Sequence, residues 1–228
     1  MKETGMTTAL FAQAILKFML GVVLVGVLIF VPAGTLRYAN GWLLVGILFV
    51  PMFLAGIVMM VKNPGLLQSR LKAKEQEKEQ QTVVKLSGLM FIAGFVLAGL
   101  DFRFQWLPLP GWVSALGAAV FLLSYALYAE VLRENTYLSR TVEVVEGQRV
   151  IDTGLYAVVR HPMYAVTLVL FISIPLVLGS LISLVCFAAY PFIIAKRILN
   201  EEKVLEEQLA GYSEYRKKVK YRLIPFVW

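Results

Sequence analysis

The sequence predicts an all-α integral membrane protein with about six transmembrane helices and no Rossmann domain. Three observations support this fold class. The 228-residue chain is 59% hydrophobic, whereas a soluble domain of this size is about half apolar. Only 16% of its residues are charged, against about a quarter in soluble domains. The apolar residues also form long blocks, and a helix needs about 20 of them to cross the hydrocarbon layer.

Four apolar blocks each qualify, or nearly qualify, as one membrane span. They cover residues 9–33, 41–61, 86–100 and 112–132. A fifth region, 162–195, is too long for one crossing and is interrupted at Gly179-Ser180. We interpret it as a helical hairpin of two short spans, and we expect Pro175 and Pro191 to kink them.

The basic residues predict the orientation of these spans. All Lys and Arg residues except Arg37 and Arg103 lie in segments that the six-span arrangement places on one side. These segments are the N-terminus with Lys2 and Lys17, and residues 62–85, 133–160 and 196–228. Cytosolic segments carry such an excess of positive charge, so we expect both termini and the charged loop 62–85 in the cytosol. Topology and anionic lipid then explain the net charge of +7, without a nucleic-acid partner.

The chain is predicted to divide into two parts. Residues 1–132 contain about four spans and no recognisable motif. Residues 133–228 contain the hairpin between an interfacial segment, with turns expected at Gly147 and Gly154, and a charged tail. The tail begins as a helix whose apolar stripe is bordered by Glu201 and Glu202. This stripe consists of Ile198, Leu205, Leu209 and Tyr212.

Three residues are candidates for chemistry. His161, the only histidine, precedes Pro162, and proline suits the first turn of a helix. We therefore expect His161 just outside the N-terminus of the hairpin, beside unpaired N–H groups. Arg197 lies one helical turn before Glu201. The two could form a surface ion pair worth about 0.3–0.5 kcal/mol, or each could bind a ligand.

The composition excludes several kinds of site. One histidine and one cysteine, Cys186, cannot form a zinc site, and no carboxylate cluster lies within a span. A single cysteine allows no disulfide within the chain. No two glycines are two positions apart, which excludes the G-x-G signature of a Rossmann-type dinucleotide site.

Residues 154–164, GLYAVVRHPMY, are similar to the signature of the isoprenylcysteine carboxyl methyltransferase family. The resemblance continues, in order and spacing, in four later motifs: Arg197, Glu201-Glu202-x-x-Leu205, Gly211-Tyr212-x-x-Tyr215 and Arg222-Leu223-Ile224-Pro225. It covers roughly residues 130–228. An isolated R-H-P would be weak, but its combination with a short hairpin and R-x-x-x-E-E-x-x-L is specific.

The resemblance implies an S-adenosylmethionine-dependent methyltransferase with a cofactor pocket at the cytosolic face. It places the cofactor contacts on Gln148, Arg149, Val150, Ile151, Tyr156, His161, Pro162, Met163, Tyr164 and Glu201. It assigns Arg197 to the acceptor. Behind these contacts we expect four supporting residues: Arg160, Glu202, Tyr212 and Tyr215. No residue is assigned as acid or base, because a carboxylate or thiolate acceptor needs only desolvation and alignment.

The side chains suit the chemical groups of this cofactor. The Glu201 carboxylate suits the ammonium through charge-assisted hydrogen bonds. His161 and the N–H groups that begin the hairpin suit the carboxylate. Tyr156 and Tyr164 offer aromatic faces to the adenine or to the sulfonium.

The acceptor and two other classes of function stay open at this level, because a fold does not reveal its substrate. A prenylcysteine carboxylate, a phospholipid or other amine, and a thiol are all compatible lipophilic acceptors. A membrane sterol-type reductase would bind a nicotinamide cofactor, but it would need more donors for a diphosphate than the tail offers. A non-enzymatic membrane scaffold would leave the hairpin motifs unexplained. Apart from the acceptor, we expect membrane lipids as partners and no metal.

Overall fold

The computed structural model describes residues 7–71, 78–138 and 144–228. Within these ranges the regular elements are helices, and the β-type pairing is an isolated bridge between Pro108 and Ser180. The all-α prediction is confirmed. The helices are α1 Thr8–Ala33, α2 Ala39–Lys62, α3 Pro64–Leu71, α4 Lys78–Phe104, α5 Gly111–Glu134, α6 Pro162–Leu178, α7 Leu181–Phe187, α8 Tyr190–Gln208 and α9 Tyr212–Lys218, with a 3₁₀ turn at Gly154–Ala157 before α6.

Among the described residues, five helical stretches are long and apolar enough to cross a membrane. They are Thr8–Ala33, Ala39–Lys62, Gln80–Phe104, Gly111–Glu134 and Leu181–Gln208, the last combining α7 and α8. Helix α6 is apolar but shorter, with 17 residues. Large apolar side chains remain exposed along the first two stretches, for example Val31 at 68% and Val61 at 77%, as is expected for helices that face lipid.

The predicted hairpin is present, with Gly179 and Ser180 at its tip. Gly179 has a φ of +71°, which glycine adopts without the steric cost that other residues incur. Ser180 caps α7 by accepting a hydrogen bond from the Ser183 amide. The second arm differs from the expectation of one bent span, because α7 ends at Phe187 and α8 begins at Tyr190. Pro191 lies in the first turn of α8, where its missing N–H is not needed.

A buried carboxylate holds the tip of the hairpin. Asp101, at the end of α4, accepts hydrogen bonds from the Ser180 hydroxyl at 2.5 Å and from the Leu107 amide at 2.8 Å. The Tyr38 hydroxyl donates to the Leu178 carbonyl at 2.5 Å. The end of α4 and the residue that precedes α2 therefore both anchor the tip.

One hydrophobic core includes residues from both sides of position 132, among them Ile29, Phe121, Ile174 and Ile198. Helix α6 packs extensively against α5. Their close approach depends on Gly117, where a Cβ atom would meet the backbone of α6 at Val177. The described part of residues 133–228 thus packs against the preceding helices.

The short helix α3 is fixed at both ends. The Asn63 side chain accepts from the Leu66 amide at 3.0 Å, which caps the first turn. At the other end, the Lys17 ammonium donates to the Leu71 carbonyl at 2.6 Å. The sequence predicts a charged cytosolic loop over residues 62–85. In that range the structure has α3 and the beginning of α4, and residues 72–77 lie outside the described residues.

Candidate active site

The chain that leads into α6 pairs with the C-terminal tail. The Arg160 and His161 amides donate to the carbonyls of Tyr221 and Arg222, both at 2.9 Å. His161 immediately precedes α6 and Pro162 is its first residue, as the sequence predicts. These backbone bonds place the R-H-P motif next to the C-terminal tail.

The carboxylate of Glu202 joins the side chains at this junction. Its Oε1 accepts from Arg160 Nε at 2.7 Å and lies 3.3 Å from His161 Nε2. Its Oε2 accepts from Arg222 Nε at 2.8 Å. The Glu202 side chain is only 5% exposed, and buried charges persist when they are paired and hydrogen-bonded. This geometry suits the supporting role predicted for Glu202 and Arg160.

Tyr164 links Arg197 to Glu201. Its hydroxyl donates to Glu201 Oε2 at 2.5 Å and accepts from Arg197 Nε at 2.9 Å. The other oxygen of Glu201 lies 4.0 Å from His161 Nδ1. The Glu201 side chain is only 20% exposed. Arg197 and Glu201 are joined through the buried hydroxyl of Tyr164 and do not form an isolated ion pair at the surface.

One cavity is lined by His161, Tyr164, Arg197 and Glu201, and its volume is about 830 Å³ including its open mouth. Nine of the ten predicted cofactor residues contribute to the wall, as does Arg197. Pro162 is buried and is not part of the wall. Three residues that were predicted to stand behind the contacts also line the cavity: Arg160, Tyr212 and Tyr215.

The sequence reasoning missed several lining residues. They are Asn135, Tyr137, Leu138, Val204, Leu205 and Leu209. Helical spacing could have identified Val204 and Leu205, which lie three and four positions after Glu201. Asn135 directly follows α5 and donates from Nδ2 to the Tyr156 hydroxyl at 3.0 Å. No local sequence signal predicts that contact.

The cavity contains a buried hydroxyl that could donate a hydrogen bond to a ligand. The Tyr212 Oη is buried and has no hydrogen-bond partner in the part of the chain that the structure describes. Burial raises the pKa of Tyr212 above its ordinary value, so the hydroxyl stays protonated and can donate. Together with Glu201, Arg149 and the aromatic rings of the wall, it fits a ligand that carries both charges and an aromatic base, as S-adenosylmethionine does.

Residues 115–207 match the family model of the isoprenylcysteine carboxyl methyltransferase (ICMT) family. The resemblance is confirmed. The matched range begins within α5 and includes the hairpin, Arg197, Glu201 and Glu202. No curated protein matches the sequence at a significant level.

A solved structure extends the likeness to the first helices. It is described as the eukaryotic intramembrane Ras methyltransferase ICMT without a monobody. The two structures superpose with a TM-score of 0.57 at 20% sequence identity, over 94% of this chain and 77% of that chain. The fold is therefore ICMT-like, and the chain is a multi-pass membrane protein.

Replacing Glu202 should destabilise the fold strongly. Glu202→Gln removes the charge that compensates the buried Arg160, and we expect the free energy of unfolding to fall by about 3–5 kcal/mol. The control is Glu206→Gln on the same helix, because Glu206 pairs with Arg216 near the surface and should contribute at most about 1 kcal/mol. Equilibrium unfolding in detergent micelles measures both. Equal losses in the two variants would contradict the proposed role of the buried network.

Replacing Tyr212 should affect ligand binding but not folding. Tyr212→Phe removes a hydroxyl without a partner among the described residues, so stability should not fall, while affinity for S-adenosylhomocysteine should drop about 2–10-fold. In the matched variant Tyr215→Phe, the Tyr156 carbonyl loses a 2.7 Å hydrogen bond, and stability should fall by about 1 kcal/mol. Calorimetric titration and thermal unfolding measure the two effects. Unchanged affinity in Tyr212→Phe would show that its hydroxyl does not contact the ligand.

Proposed function

We propose that this protein is a membrane-embedded, S-adenosylmethionine-dependent methyltransferase that methylates the carboxylate of a prenylcysteine-like or other lipophilic acceptor. The observation that carries the proposal is the convergence of His161, Tyr164, Arg197 and Glu201 on one cavity at the start of α6. The match to the ICMT family and the ICMT-like fold support it.

In this proposal Glu201 and His161 bind the cofactor. When bound, S-adenosylmethionine supplies an electrophilic methyl group on a sulfonium. Tyr164 occupies one oxygen of Glu201, which leaves the other for charge-assisted hydrogen bonds with the ammonium. His161 is held by Glu202 at the N-terminus of α6, where backbone N–H groups favour an anion such as the cofactor carboxylate.

Arg197 binds the acceptor beside the cofactor. An ionised carboxylate attacks the methyl carbon through its own oxygen, yielding a methyl ester and S-adenosylhomocysteine, so no proton has to be removed. The protein then contributes alignment and exclusion of water. Because Arg197 and Glu201 share the Tyr164 hydroxyl, the acceptor and cofactor groups are positioned relative to each other.

The proposed topology has six spans, with α6 and α7–α8 as the final pair and both termini in the cytosol. A 17-residue helix is about 25 Å long, somewhat less than the hydrocarbon layer, and local thinning of the bilayer accommodates such a span. The site then lies at the cytosolic face, on the side where the basic residues of α3 and α9 also lie.

The other functions have less support from the cavity. A nicotinamide dinucleotide needs several free donors for its diphosphate, but Arg160 already donates to Glu202 and to the carbonyls of Val219 and Lys220. A scaffold does not require a cavity lined by charged and aromatic groups. An amine or thiol acceptor remains compatible with the cofactor half of the site.

Titration of the purified protein with S-adenosylhomocysteine and with NADPH distinguishes these functions. We expect micromolar binding of S-adenosylhomocysteine, about −8 kcal/mol, and no binding of NADPH at the same concentrations. Binding of NADPH alone would support a reductase, and binding of neither compound would support a scaffold.

Mutations should separate the cofactor residues from the acceptor residue. Glu201→Ala and His161→Ala should each weaken S-adenosylhomocysteine binding by about 1.5–3 kcal/mol, the scale of a charged hydrogen bond. Arg197→Ala should keep that affinity within about twofold but lower kcat/KM for a model prenylcysteine. Arg197→Lys should restore activity only in part, because an ammonium lacks the planar donor fork. Equal loss of cofactor affinity in Arg197→Ala and Glu201→Ala would assign Arg197 to the cofactor instead.

Single-cysteine labelling tests the orientation. In a Cys186→Ala background, Ser213→Cys should react from the cytosolic side of sealed vesicles, and Arg37→Cys from the opposite side. Both positions are exposed, so accessibility depends on the membrane and not on packing. A membrane-impermeant maleimide provides the readout. Reaction of both cysteines from one side would rule out the six-span arrangement.

A further inference from the structure

Arg70, in the last turn of α3, is a half-buried cation with two donor groups that the described part of the protein does not use. Its Nη1 donates to the Tyr128 hydroxyl at 3.2 Å, and its Cζ lies 5.9 Å from the centre of that ring. Its Nε and Nη2 are buried and have no hydrogen-bond partner among the described residues. A guanidinium stays charged in proteins, and burying a charge is costly unless it is paired. We therefore expect these two donors to bind an anion.

Arg70 is connected to the wall of the candidate active site through Tyr128, although neither residue lines the cavity itself. Tyr128 packs against a cluster of buried residues that includes Tyr156, and Tyr156 lines the cavity. Burial raises the pKa of Tyr156, and the charges of Glu201 and Glu134 act in the same direction. Its hydrogen bond with Asn135 and, as the smallest contribution, the positive charge of Arg70 lower that pKa.

The position of Arg70 is built into the fold. Asn63 caps the start of α3, Lys17 binds its last carbonyl, and Leu67 is buried between them. Such a helix holds an arginine in place, unlike a loose surface loop. Helix α3 lies outside the range that matches the ICMT family, so the resemblance assigns no role to this residue.

We propose that Arg70 binds the anionic group of the methyl acceptor, as a second cation in addition to Arg197. Nε and Nη2 lie on one edge of the guanidinium, and that edge matches both oxygens of a carboxylate. The inference rests on the proposed function and makes it more specific, because an amine or a thiol would leave this edge unpaired. A lipid phosphate offers similar oxygens, so the experiment must separate the two sources.

A cycle of ligand and residue changes tests the proposal. The probes are N-acetyl-S-farnesylcysteine and its carboxamide. The affinity of the detergent-solubilised full chain for each probe is measured by competition between the two. We expect the wild type to prefer the carboxylate at least about tenfold, the scale of a charged hydrogen bond. Arg70→Gln should remove most of this preference and leave S-adenosylhomocysteine affinity within about twofold. Arg70→Lys should restore the preference only in part, because it keeps the charge but lacks the edge.

The control for loss of charge is Arg37→Gln, an exposed arginine outside the site, which should leave the preference unchanged. Equal weakening of both probes by Arg70→Gln would show a purely structural role and overturn the proposal. So would an unchanged preference together with a loss, in Arg70→Gln only, of thermal stabilisation by phosphatidylglycerol, since Arg70 would then bind lipid. If the wild type does not methylate the farnesylcysteine probe, a prenylcysteine is not the acceptor, and this inference fails together with that part of the proposed function. If it does, and Arg70→Gln behaves like the wild type, only this inference fails.

Discussion

The buried carboxylate of Glu202 is the interaction on which the site depends. It joins Arg160 and His161 before α6 to Arg222 in the tail, three segments that are far apart in the sequence. Neighbouring residues of a helix point about 100° apart, so Glu202 can face this junction while Glu201 faces the cavity. Without the carboxylate, two guanidinium groups would stand in a poorly solvated place, where an uncompensated charge is costly.

Helix α6 is held at both ends by polar networks that lie in different parts of the molecule. Asp101 and Tyr38 bind the hairpin tip, and the pairing with the tail holds its beginning. Between them, Gly117 lets α5 approach closely enough to cover one side. A rigid wall suits the proposed chemistry, because a reaction that moves no proton depends on alignment of acceptor and cofactor. The first helices therefore contribute to the site although they carry no motif.

Much of the fold could be predicted from local sequence, whereas the contacts between segments could not. Apolar runs gave the span positions to within a few residues, apart from the third, where the helix extends well before the predicted start at residue 86. Polar residues such as Gln80 begin that helix, and hydropathy alone does not detect them. Pro191 was expected within a bent span but begins a new helix, because a proline in an apolar run allows either outcome. Missed wall residues such as Asn135 contact the cavity only through tertiary packing.

The sequence by itself determined properties that depend on composition and near neighbours: an all-helical membrane chain, a hairpin turning at Gly179, a helix starting at Pro162, and a resemblance carried by motif spacing. The tertiary structure decided which charged groups meet. Arg197 and Glu201 are one turn apart, yet they are joined by the hydroxyl of Tyr164 from another helix. Such partners depend on how helix faces pack against each other, and residues distant in the chain set that packing together. Spacing along one helix cannot specify it.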